Sequence, residues 1–327
     1  MLIKIKYYLG LMFIFLSLQL FSCQLSENQQ SDNLNSEPAK VPFGDPFILL
    51  WEGKYYAYGT NAKDGISVYV SDDLLTWRVP AEAPGGLALN KADVWADRWF
   101  WAPEVYPVNG KFYMYYSADE HICVAVSGSP LGPFKQEIQK PMIGGEKCID
   151  NSLFIDDNGK HYLFFDRFTD GLNIWVAELE ENLLDIRPGT MHQCIKVSQP
   201  WEEIWPRVNE GSFVIKRNGI YYMTYSANSY ESPFYGIGVA TSMNVNGPWI
   251  KYEHNPVFQK PGSLVGIGHS ALFTDKEGKL KIVFHAHNST TQIHPRQMYI
   301  SIVRFVTVEG KEVMEIDKNY ITPVLGK

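Results

Sequence analysis

The feature that most constrains this chain is a hairpin pattern that recurs five times, at intervals of roughly 50–60 residues. In each copy, an apolar run leads into a polar turn that closes on a glycine, and a run of alternating aromatic residues follows. This order of features is typical of a β-hairpin. The five turn glycines are Gly53, Gly110, Gly159, Gly219 and Gly278.

A weaker repeat follows four of the hairpins. The segments VYVSDDLLTW, VAVSGSPLGPF, VAELEENLLDI and VATSMNVNGPW each predict a third strand that leads into a turn. Three strands and a connecting strand in a unit of this length are typical of a propeller blade. A helical repeat is disfavoured because the apolar period within each unit is two. The sequence therefore predicts an all-β fold, a five-bladed β-propeller over residues 41–327.

The first 40 residues differ from the repeats. Lys4 and Lys6 precede an apolar stretch at residues 7–21 that is too short for a comfortable membrane span. It ends in LFSC, which resembles the lipobox of bacterial lipoproteins, although an uncleaved signal anchor is an alternative. We expect a lipoprotein signal peptide at 1–22, a lipid anchor on Cys23 and a flexible polar tether at 23–40. The protein is then exported and anchored to a bacterial membrane.

Charge and cysteine content exclude some partners and leave one question open. The net charge is −7 and no block of Lys or Arg stands out, so a nucleic-acid partner is not expected, and no protein partner is predicted. Apart from Cys23, the chain has Cys123, Cys148 and Cys194. These allow at most one disulfide within the chain, and three free thiols fit equally well.

The repeat also indicates where a site should lie, because the first strand of each propeller blade lines the central channel. Counting back nine residues from the last four turn glycines, and eight from the first, selects one position per inner strand. These positions hold Asp45, Trp101, Asp150, Glu210 and His269. Three crowded carboxyl groups cannot share one pKa, and separated acid and base roles are what hydrolysis of a glycosidic bond requires. The alternative is that each residue separately caps a strand.

Five motifs, in order, resemble glycoside hydrolase family 43: PFGDPFI, WAPEV, IDNSLFIDDNGKHYL, NEGSFVIKRNGIYYMTYS and GIGHSALF. The resemblance spans essentially the whole predicted propeller. It implies a five-bladed propeller of inverting enzymes that act on arabinose-, xylose- or sometimes galactose-containing plant polysaccharides. It also implies that Asp45 is the general base, Glu210 the general acid, and Asp150 the carboxylate that tunes and orients the acid. His269 resembles the residue near a structural calcium ion, which it often holds through water.

Three further residues are candidates for substrate binding. Trp101 and Phe43 could form an aromatic wall, because the C–H faces of a sugar pack on aromatic rings, or could belong to the core. Arg296 resembles an arginine that the family places beside the general base and the bound sugar. A surface salt bridge is the alternative for Arg296.

Other polar residues near the motifs are assigned structural roles. Glu104 is out of register with the five axial positions. His285 and His287 alternate along one strand like a metal-binding pair, but no third ligand is evident, so strand packing or lining of the axis is favoured.

Together, these features predict an inverting glycoside hydrolase that removes arabinofuranosyl or xylosyl residues from plant cell-wall polysaccharides or oligosaccharides. Two alternatives within the enzyme class are an endo-arabinanase and a galactan-directed glycosidase. A third alternative, from another class, is a carbohydrate-binding propeller without catalytic activity.

Overall fold

The computed structural model describes residues 37–326, and from residue 40 onward these form one compact unit. The predicted signal peptide, the Cys23 anchor and most of the tether lie outside the described residues. Helical structure in the described part is limited to three 3-10 turns: Pro84–Gly86, Lys91–Asp93 and Pro200–Glu202. No helix in this part of the chain is long and apolar enough to cross a membrane.

The first two blades are formed by the first eight strands. Blade one contains β1 (Gly44–Trp51), β2 (Lys54–Thr60), β3 (Gly65–Ser71), β4 (Thr76–Trp77) and β5 (Leu87–Asn90). Blade two contains β6 (Trp101–Val108), β7 (Lys111–Ala118) and β8 (His121–Ser127). Neighbouring strands pair antiparallel, in the order β1-β2-β3-β5 and β6-β7-β8.

The remaining three blades each have four strands. Blade three contains β9 (Cys148–Ile155), β10 (His161–Thr169), β11 (Gly171–Glu178) and β12 (His192–Ile195). Blade four contains β13 (Asn209–Arg217), β14 (Ile220–Ala227), β15 (Gly236–Ser242) and β16 (Ile250–Lys251). Blade five contains β17 (Gly268–Thr274), β18 (Leu280–Ala286), β19 (Gln297–Val308) and β20 (Lys311–Ile321).

The first strands of the blades form a closed ring. Strand β1 contacts β6, β6 contacts β9, β9 contacts β13, β13 contacts β17, and β17 contacts β1. A last strand, β21 (Val324–Leu325), leaves blade five and pairs with β4 of blade one. The end of the chain therefore hydrogen-bonds to the first blade. The predicted all-β, five-bladed propeller is confirmed.

Aromatic residues fill the space between the blades. Each blade packs on a neighbour through both faces, so its middle strands are buried on both sides. In β14, for example, every residue after Ile220 is buried, including Tyr221, Tyr222 and Tyr225. This double burial accounts for an aromatic content of 14% in a chain of 327 residues.

The five hairpins differ in the length of their turns. In blades one, two and four, a two-residue turn joins the first strand to the second, and both of its residues have positive φ. These turns are Glu52-Gly53, Asn109-Gly110 and Asn218-Gly219. In blades three and five, longer turns at residues 156–160 and 275–279 begin with an aspartate. The Asp275 carboxylate accepts hydrogen bonds from the backbone N–H groups of Glu277 and Lys279, which stabilises the longer turn.

Candidate active site

Each inner strand carries a β-bulge near its start, where one residue adopts a positive φ. The residues are Asp45, Ala102, Asp150, Gly211 and His269, with φ angles of 47°, 46°, 56°, 57° and 46°. The pairing register shifts at each of these places. Positive φ is unfavourable for residues other than glycine, and such strain is commonly held at functional sites. The bulges therefore occupy equivalent positions in the five inner strands.

The bulges correct the predicted register for two residues. Trp101 and Glu210 lie one residue before the bulge positions, which are held by Ala102 and Gly211. The bulge residue lies nine positions before the turn glycine only in blades three and five, which have the longer turns. In the other three blades the turn has two residues, and the bulge residue lies eight positions before the turn glycine. The prediction that all five residues are equivalent is therefore wrong, although Asp45, Asp150 and His269 are equivalent.

The Asp45 carboxylate is held by a cation and a hydroxyl group. Arg296 donates from Nη1 to Oδ1 at 2.6 Å and from Nη2 to Oδ2 at 3.0 Å. The Thr60 hydroxyl donates to Oδ2 at 2.7 Å. Burial alone would raise the pKa of Asp45, but Arg296, followed by His269 and His285, outweighs burial and lowers this pKa below its usual range. Asp45 is therefore ionised at any pH at which the protein would work.

The side chains of Arg296 and Asp45 are each only 9% exposed, so the ion pair is not on the surface. The guanidinium also lies 4.7 Å from the ring centroid of Tyr230, within the range of a cation–π interaction. Gly44 makes room for it, because a Cβ atom there would overlap the guanidinium. Asp45 and Arg296 are thus neighbours, as the resemblance implied.

Two imidazoles complete the surroundings of Asp45. The Asp45 N–H donates to His285 Nδ1 at 3.1 Å, and His269 Nδ1 lies 3.4 Å from Asp45 Oδ1 and 3.8 Å from Asp150 Oδ2. Burial lowers the pKa of both histidines, and that of His285 well below the ordinary value. Both rings are therefore neutral near pH 7. His285 is fully buried beside Asp45, while His287 binds the backbone carbonyl of Tyr230 through Nε2 at 2.7 Å.

Glu210 is in a different environment from Asp45. Its carboxyl group is buried, and the Tyr235 hydroxyl donates to Oε1 at 2.6 Å. Burial raises the pKa of Glu210 to about 7, against the opposing effect of the Tyr235 hydrogen bond and with a further contribution from the charge of Asp45. A carboxyl group with this pKa carries its proton in a large fraction of molecules near neutral pH.

Asp150 interacts electrostatically with both Asp45 and Glu210. Its backbone N–H donates to the Ser117 hydroxyl at 2.9 Å. Burial, and then the charges of Glu210 and Asp45, raise the pKa of Asp150 well above its ordinary value. The three carboxyl groups therefore form one electrostatically interacting set, in which Asp45 is the group that ionises most readily.

A cleft of about 720 Å³ is lined by Thr60 and Arg296, the two residues that hold the Asp45 carboxylate, and provides room for a ligand. Thr60, Arg296 and Trp101 line it together with Trp99, whose ring stacks on that of Trp101 at 5.8 Å between centroids. Trp101 thus borders open space, as predicted for a wall residue. Phe43 does not: it is fully buried against Tyr69, so the prediction that it contacts substrate is wrong. Its ring fills the space above Gly59 instead.

Other predictions concern residues outside this cluster. Glu104 is buried and accepts a hydrogen bond from the Tyr106 hydroxyl, and burial raises the pKa of Glu104 to about 8. It is not among the groups that contact Asp45 or Glu210, which agrees with a structural role. Cys123, Cys148 and Cys194 are all free, so the possible disulfide is not formed.

The donor set can be compared with what a calcium ion requires. Calcium takes six to eight oxygen ligands. Within residues 37–326 there is no cluster of three or more His, Cys, Asp and Glu side chains suited to hold an ion directly. The charge of Asp45 is already compensated by the Arg296 guanidinium, and the Thr60 hydroxyl donates a further hydrogen bond to it. A calcium ion caged by protein carboxylates therefore does not fit this site, and one held mainly through water at His269 stays a prediction.

Three residues of the site were missed by the sequence analysis: Thr60, Tyr235 and Asp166. Thr60 ends the second strand of blade one, and Tyr235 lies in the loop before β15. Asp166 is fully buried in β10. A charged residue inside the apolar run YLFFD was a signal that could have identified it.

Comparison with known proteins agrees with this geometry. Residues 40–307 match the family model for glycosyl hydrolases family 43. The structure of an endo-1,4-beta-xylanase from Bacteroides thetaiotaomicron superimposes with a TM-score of 0.83 and 45% identity, covering 90% of this chain and all of that one. The beta-D-galactofuranosidase xynD of Aspergillus niger is 25% identical over 77% of this chain and 76% of its own length.

An extracellular exo-alpha-(1->5)-L-arabinofuranosidase, ArbA of Cellvibrio japonicus, is also 25% identical, over 76% of this chain and 80% of its own length. The three named activities differ in sugar and in mode of action, but all three cleave glycosidic bonds. The family match covers four of the five blades and most of the fifth. The chain therefore belongs to glycosyl hydrolases family 43 and is a glycoside hydrolase.

Proposed function

We propose that this protein removes arabinofuranosyl or xylosyl residues from plant cell-wall polysaccharides or oligosaccharides, with inversion at the anomeric carbon. In this proposal Asp45 is the general base, Glu210 the general acid, and Asp150 the carboxyl group that sets the ionisation of the acid. The observation that carries the assignment is that two buried carboxyl groups of one site have opposite surroundings: the Arg296 guanidinium and the Thr60 hydroxyl hold Asp45, whereas a neutral hydroxyl, that of Tyr235, binds Glu210. The pKa of Asp45 is lowered, while that of Glu210 is raised to about 7.

The hydrogen bonds of Asp45 support its proposed role as the base. Its Oδ2 atom accepts from both Arg296 and Thr60, whereas Oδ1 accepts from Arg296 alone. Oδ1 therefore keeps a lone pair with which to take a proton from water. Arg296 and Thr60 fix the plane of the carboxylate, so that this lone pair has one direction. As the water attacks the anomeric carbon, its proton passes to Oδ1.

The role of Glu210 is the complementary one. The Tyr235 hydroxyl occupies Oε1, which leaves the other carboxyl oxygen to carry the acidic proton. That proton passes to the glycosidic oxygen as the bond to the leaving group breaks. Burial and the negative charge of Asp45 favour the protonated form of Glu210 before reaction. This arrangement supports one acid and one base acting on opposite faces of the sugar.

The cleft supports a carbohydrate ligand. Its volume of about 720 Å³ falls within the range of small-molecule sites and exceeds what one pentose unit needs. The stacked Trp99 and Trp101 rings offer an apolar face to the C–H side of a sugar ring. Arg98, whose guanidinium lies 4.4 Å from the Trp99 ring, holds that ring in place.

Endo-acting hydrolysis of a pentose polymer is the second candidate. The specific observation that favours it is the 45% identity to a structure described as an endo-1,4-beta-xylanase. Exo and endo enzymes differ in their products, because an exo enzyme releases single sugars from the start of the reaction. An endo enzyme instead shortens the polymer before single sugars accumulate.

The test uses the full-length protein, extracted from membranes or produced in detergent. Aryl α-L-arabinofuranoside, β-D-xyloside and β-D-galactofuranoside are assayed with arabinan and xylan, and NMR follows the anomer first released. We expect hydrolysis of a pentoside with inversion, and loss of activity in Asp45→Asn and Glu210→Gln. Activity confined to the galactofuranoside, or retention of the anomeric configuration, would contradict the proposal. Early oligosaccharide products would favour the endo candidate.

We further propose that the protein is exported and carries a lipid on Cys23. The LFSC motif supports the anchor, and the description of ArbA as extracellular supports export. Labelled palmitate should enter the wild-type protein but not a Cys23→Ala variant. A wild-type protein that takes up no label would exclude the anchor.

A calcium ion near the axis, held mostly through water, is the last part of the proposal. His269 Nδ1 lies near two carboxylates, so Nε2 is the atom that would face such an ion. Elemental analysis of the dialysed protein should then find calcium, and Asp45 would still be held by Arg296 after chelation. Dialysed protein that contains no metal would contradict this expectation.

A further inference from the structure

The bulges of the inner strands each need a hydrogen-bond partner from outside their own blade. In all five blades, the pairing register between the first and second strands skips the bulge residue. A bulge leaves its extra residue unpaired in the ladder. Because an N–H group inside a protein requires an acceptor, each bulge must obtain one elsewhere.

In every case the acceptor is a side chain on the second strand of the preceding blade. Four bonds lead from one blade to the next along the chain, and the fifth leads from blade one back to blade five. The N–H groups of Ala102, Asp150, Gly211, His269 and Asp45 donate to Thr60 Oγ1 (3.0 Å), Ser117 Oγ (2.9 Å), Asp166 Oδ2 (3.0 Å), Ser226 Oγ (2.7 Å) and His285 Nδ1 (3.1 Å), respectively. These five acceptor residues form a closed capping ring.

The members of the capping ring occupy one equivalent position in the five hairpins. Each lies seven residues after the turn glycine of its hairpin. Each also pairs, within its own blade, with the residue directly before the bulge. The residue types differ, but all of them carry an acceptor: a hydroxyl, a carboxylate or an imidazole. The feature that the five positions share is therefore the ability to accept the N–H of the next bulge.

The capping ring connects residues of the site that lie on different blades. Ser226 pairs with Glu210 in blade four and accepts the N–H of His269 in blade five. Ser117 accepts the N–H of Asp150 across the boundary between blades two and three. A shift of one blade against its neighbour would therefore change the position of a bulge that carries a functional side chain.

One member of the ring also contacts a carboxyl group of the site directly. The Thr60 hydroxyl accepts the N–H of Ala102, so its own proton is available for Asp45, and it donates to Asp45 Oδ2 at 2.7 Å. The orientation of this hydroxyl is thus set by the bulge of blade two. The position of the base is in this way connected to the neighbouring blade.

We propose that the capping ring is a set of positioning residues, which fixes where the base, the acid and the third carboxyl group lie relative to one another. This inference rests on the roles proposed above for Asp45, Glu210 and Asp150. An inverting hydrolase needs its acid and base at a separation that admits one water, and these groups come from different blades. Displacements of about 1 Å are enough to lower the rate of a reaction that depends on such alignment.

Ser117 allows the sharpest test of the ring. Its side chain is fully buried, it is not among the residues that line the cleft, and it binds the backbone of Asp150. Ser117→Ala removes the acceptor and leaves the N–H of Asp150 without it, so the bulge should shift. Ser117→Thr supplies a hydroxyl again, as Thr60 does at the equivalent position of blade one.

The experiment measures kcat and KM of the full-length protein on the aryl glycoside that it hydrolyses fastest. We expect Ser117→Ala to lose about 10–100-fold in kcat, with KM within about threefold of wild type, because alignment and not binding is disturbed. Ser117→Thr should regain most of this loss. In an Asp150→Asn background, Ser117→Ala should lower kcat less than about threefold, since it acts through Asp150. A loss of undiminished size in that background would overturn the inference.

The matched control is Ser71, which is also a buried serine. Its hydroxyl accepts the N–H of Leu74 at 3.0 Å in the turn that follows β3, so the same kind of bond is made away from the bulges. Ser71→Ala and Ser117→Ala should lower the melting temperature by similar amounts, about 2–4 °C. Only Ser117→Ala should lower kcat. Equal losses of kcat in the two variants, or wild-type kcat in folded Ser117→Ala, would overturn the inference.

A second member of the ring keeps the test decisive where Ser117→Ala does not fold. Ser226→Ala removes the acceptor of the His269 N–H and should lower kcat about 3–30-fold at unchanged KM, with rescue by Ser226→Thr. A folded Ser226→Ala enzyme with wild-type kcat would overturn the ring. Asp150→Asn and Glu210→Gln are measured in parallel: their full activity would contradict the proposed roles. Their loss of activity, together with unchanged serine variants, would contradict this inference alone.

Discussion

Asp45 and Asp150 occupy the same position of two blades, and yet they ionise in opposite ways. Both lie on a bulge with positive φ, and their exposed fractions are 8% and 6%. The pKa of Asp45 is lowered, because Arg296 outweighs burial, and that of Asp150 is raised, because burial and two other carboxyl groups act together. Neighbours, rather than depth of burial, decide the ionisation of equivalent residues in this propeller.

The residues that surround Asp45 and those that surround Asp150 come from different parts of the chain. On the Asp45 side, Arg296 comes from the segment before β19 and Thr60 from the end of β2. On the Asp150 side, Asp166 and Glu210 add acidic groups. The repeat supplies equivalent backbone positions, and side chains that differ from blade to blade make the two sides chemically distinct.

The largest loss of activity is expected when the charge of Asp45 is removed. Asp45→Asn keeps the size of the side chain but cannot take a proton from water, so kcat should fall about 10²–10⁴-fold. Both an aryl glycoside and a natural oligosaccharide should be affected alike, because each needs the same water. Steady-state kinetics on the two substrates check this. Near wild-type turnover would contradict the role of base.

The effect of removing the acid, Glu210, should depend on the substrate. Glu210→Gln removes the proton donor, so the loss in kcat should be large, about 10²–10⁴-fold, for a natural oligosaccharide. An aryl glycoside with a good leaving group needs less protonation and should lose far less. Wild-type activity should fall as the pH rises through about 7, where Glu210 loses its proton, and the variant should lack this limb. Equal losses on both substrates would contradict the comparison with Asp45.

The fold could be predicted from the sequence because its signals are local. The turn glycines take positive φ and the apolar residues alternate, so five hairpins are visible without any tertiary contact. The register was missed for Trp101 and Glu210 because turn length was treated as nearly constant. The aspartates that open the longer turns, Asp156 and Asp275, were visible in the sequence and indicate the difference.

The surroundings of the catalytic candidates were only partly predictable. Arg296 was found by resemblance, but Tyr235 contacts Glu210 from a loop that no repeat aligns, and the residue type at the position of Thr60 differs from blade to blade. Phe43 was misassigned because an aromatic residue beside a site motif can face either the cleft or the core, and the sequence does not distinguish the two. The pKa of each carboxyl group depends on such contacts, so it could not be predicted from the repeat.

A smaller effect is expected from a substitution that changes the pKa of the acid, Glu210, and leaves Asp45 as it is. The Tyr235 hydroxyl donates to Glu210, which stabilises the ionised carboxylate and lowers its pKa. Tyr235→Phe removes this donor, so the pKa of Glu210 should rise and the alkaline limb should move to higher pH by about one unit. The pH profile of kcat/KM measures the shift.

The control for this change is Tyr115→Phe, which removes a buried hydroxyl that binds the Leu183 carbonyl at 2.9 Å, away from the carboxyl groups. It should cost stability without moving the limb. A shift to lower pH in Tyr235→Phe would mean that the hydroxyl does not stabilise the charged form of Glu210.

The smallest expected effect lies in the cleft beside Asp45, where aromatic contact should assist binding and not chemistry. Trp99 stacks on Trp101 and lines the cleft, but it contacts none of the three carboxyl groups. Trp99→Ala should therefore raise KM for an oligosaccharide several-fold, since stacking on an aromatic ring contributes about 0.5–1.5 kcal/mol, while kcat changes little. Trp205→Ala is the matched control, because Trp205 is 82% exposed and does not line this cleft. A loss confined to kcat in Trp99→Ala would place this ring in the catalytic machinery, and equal KM changes in both variants would show that the cleft beside Asp45 is not where the oligosaccharide lies.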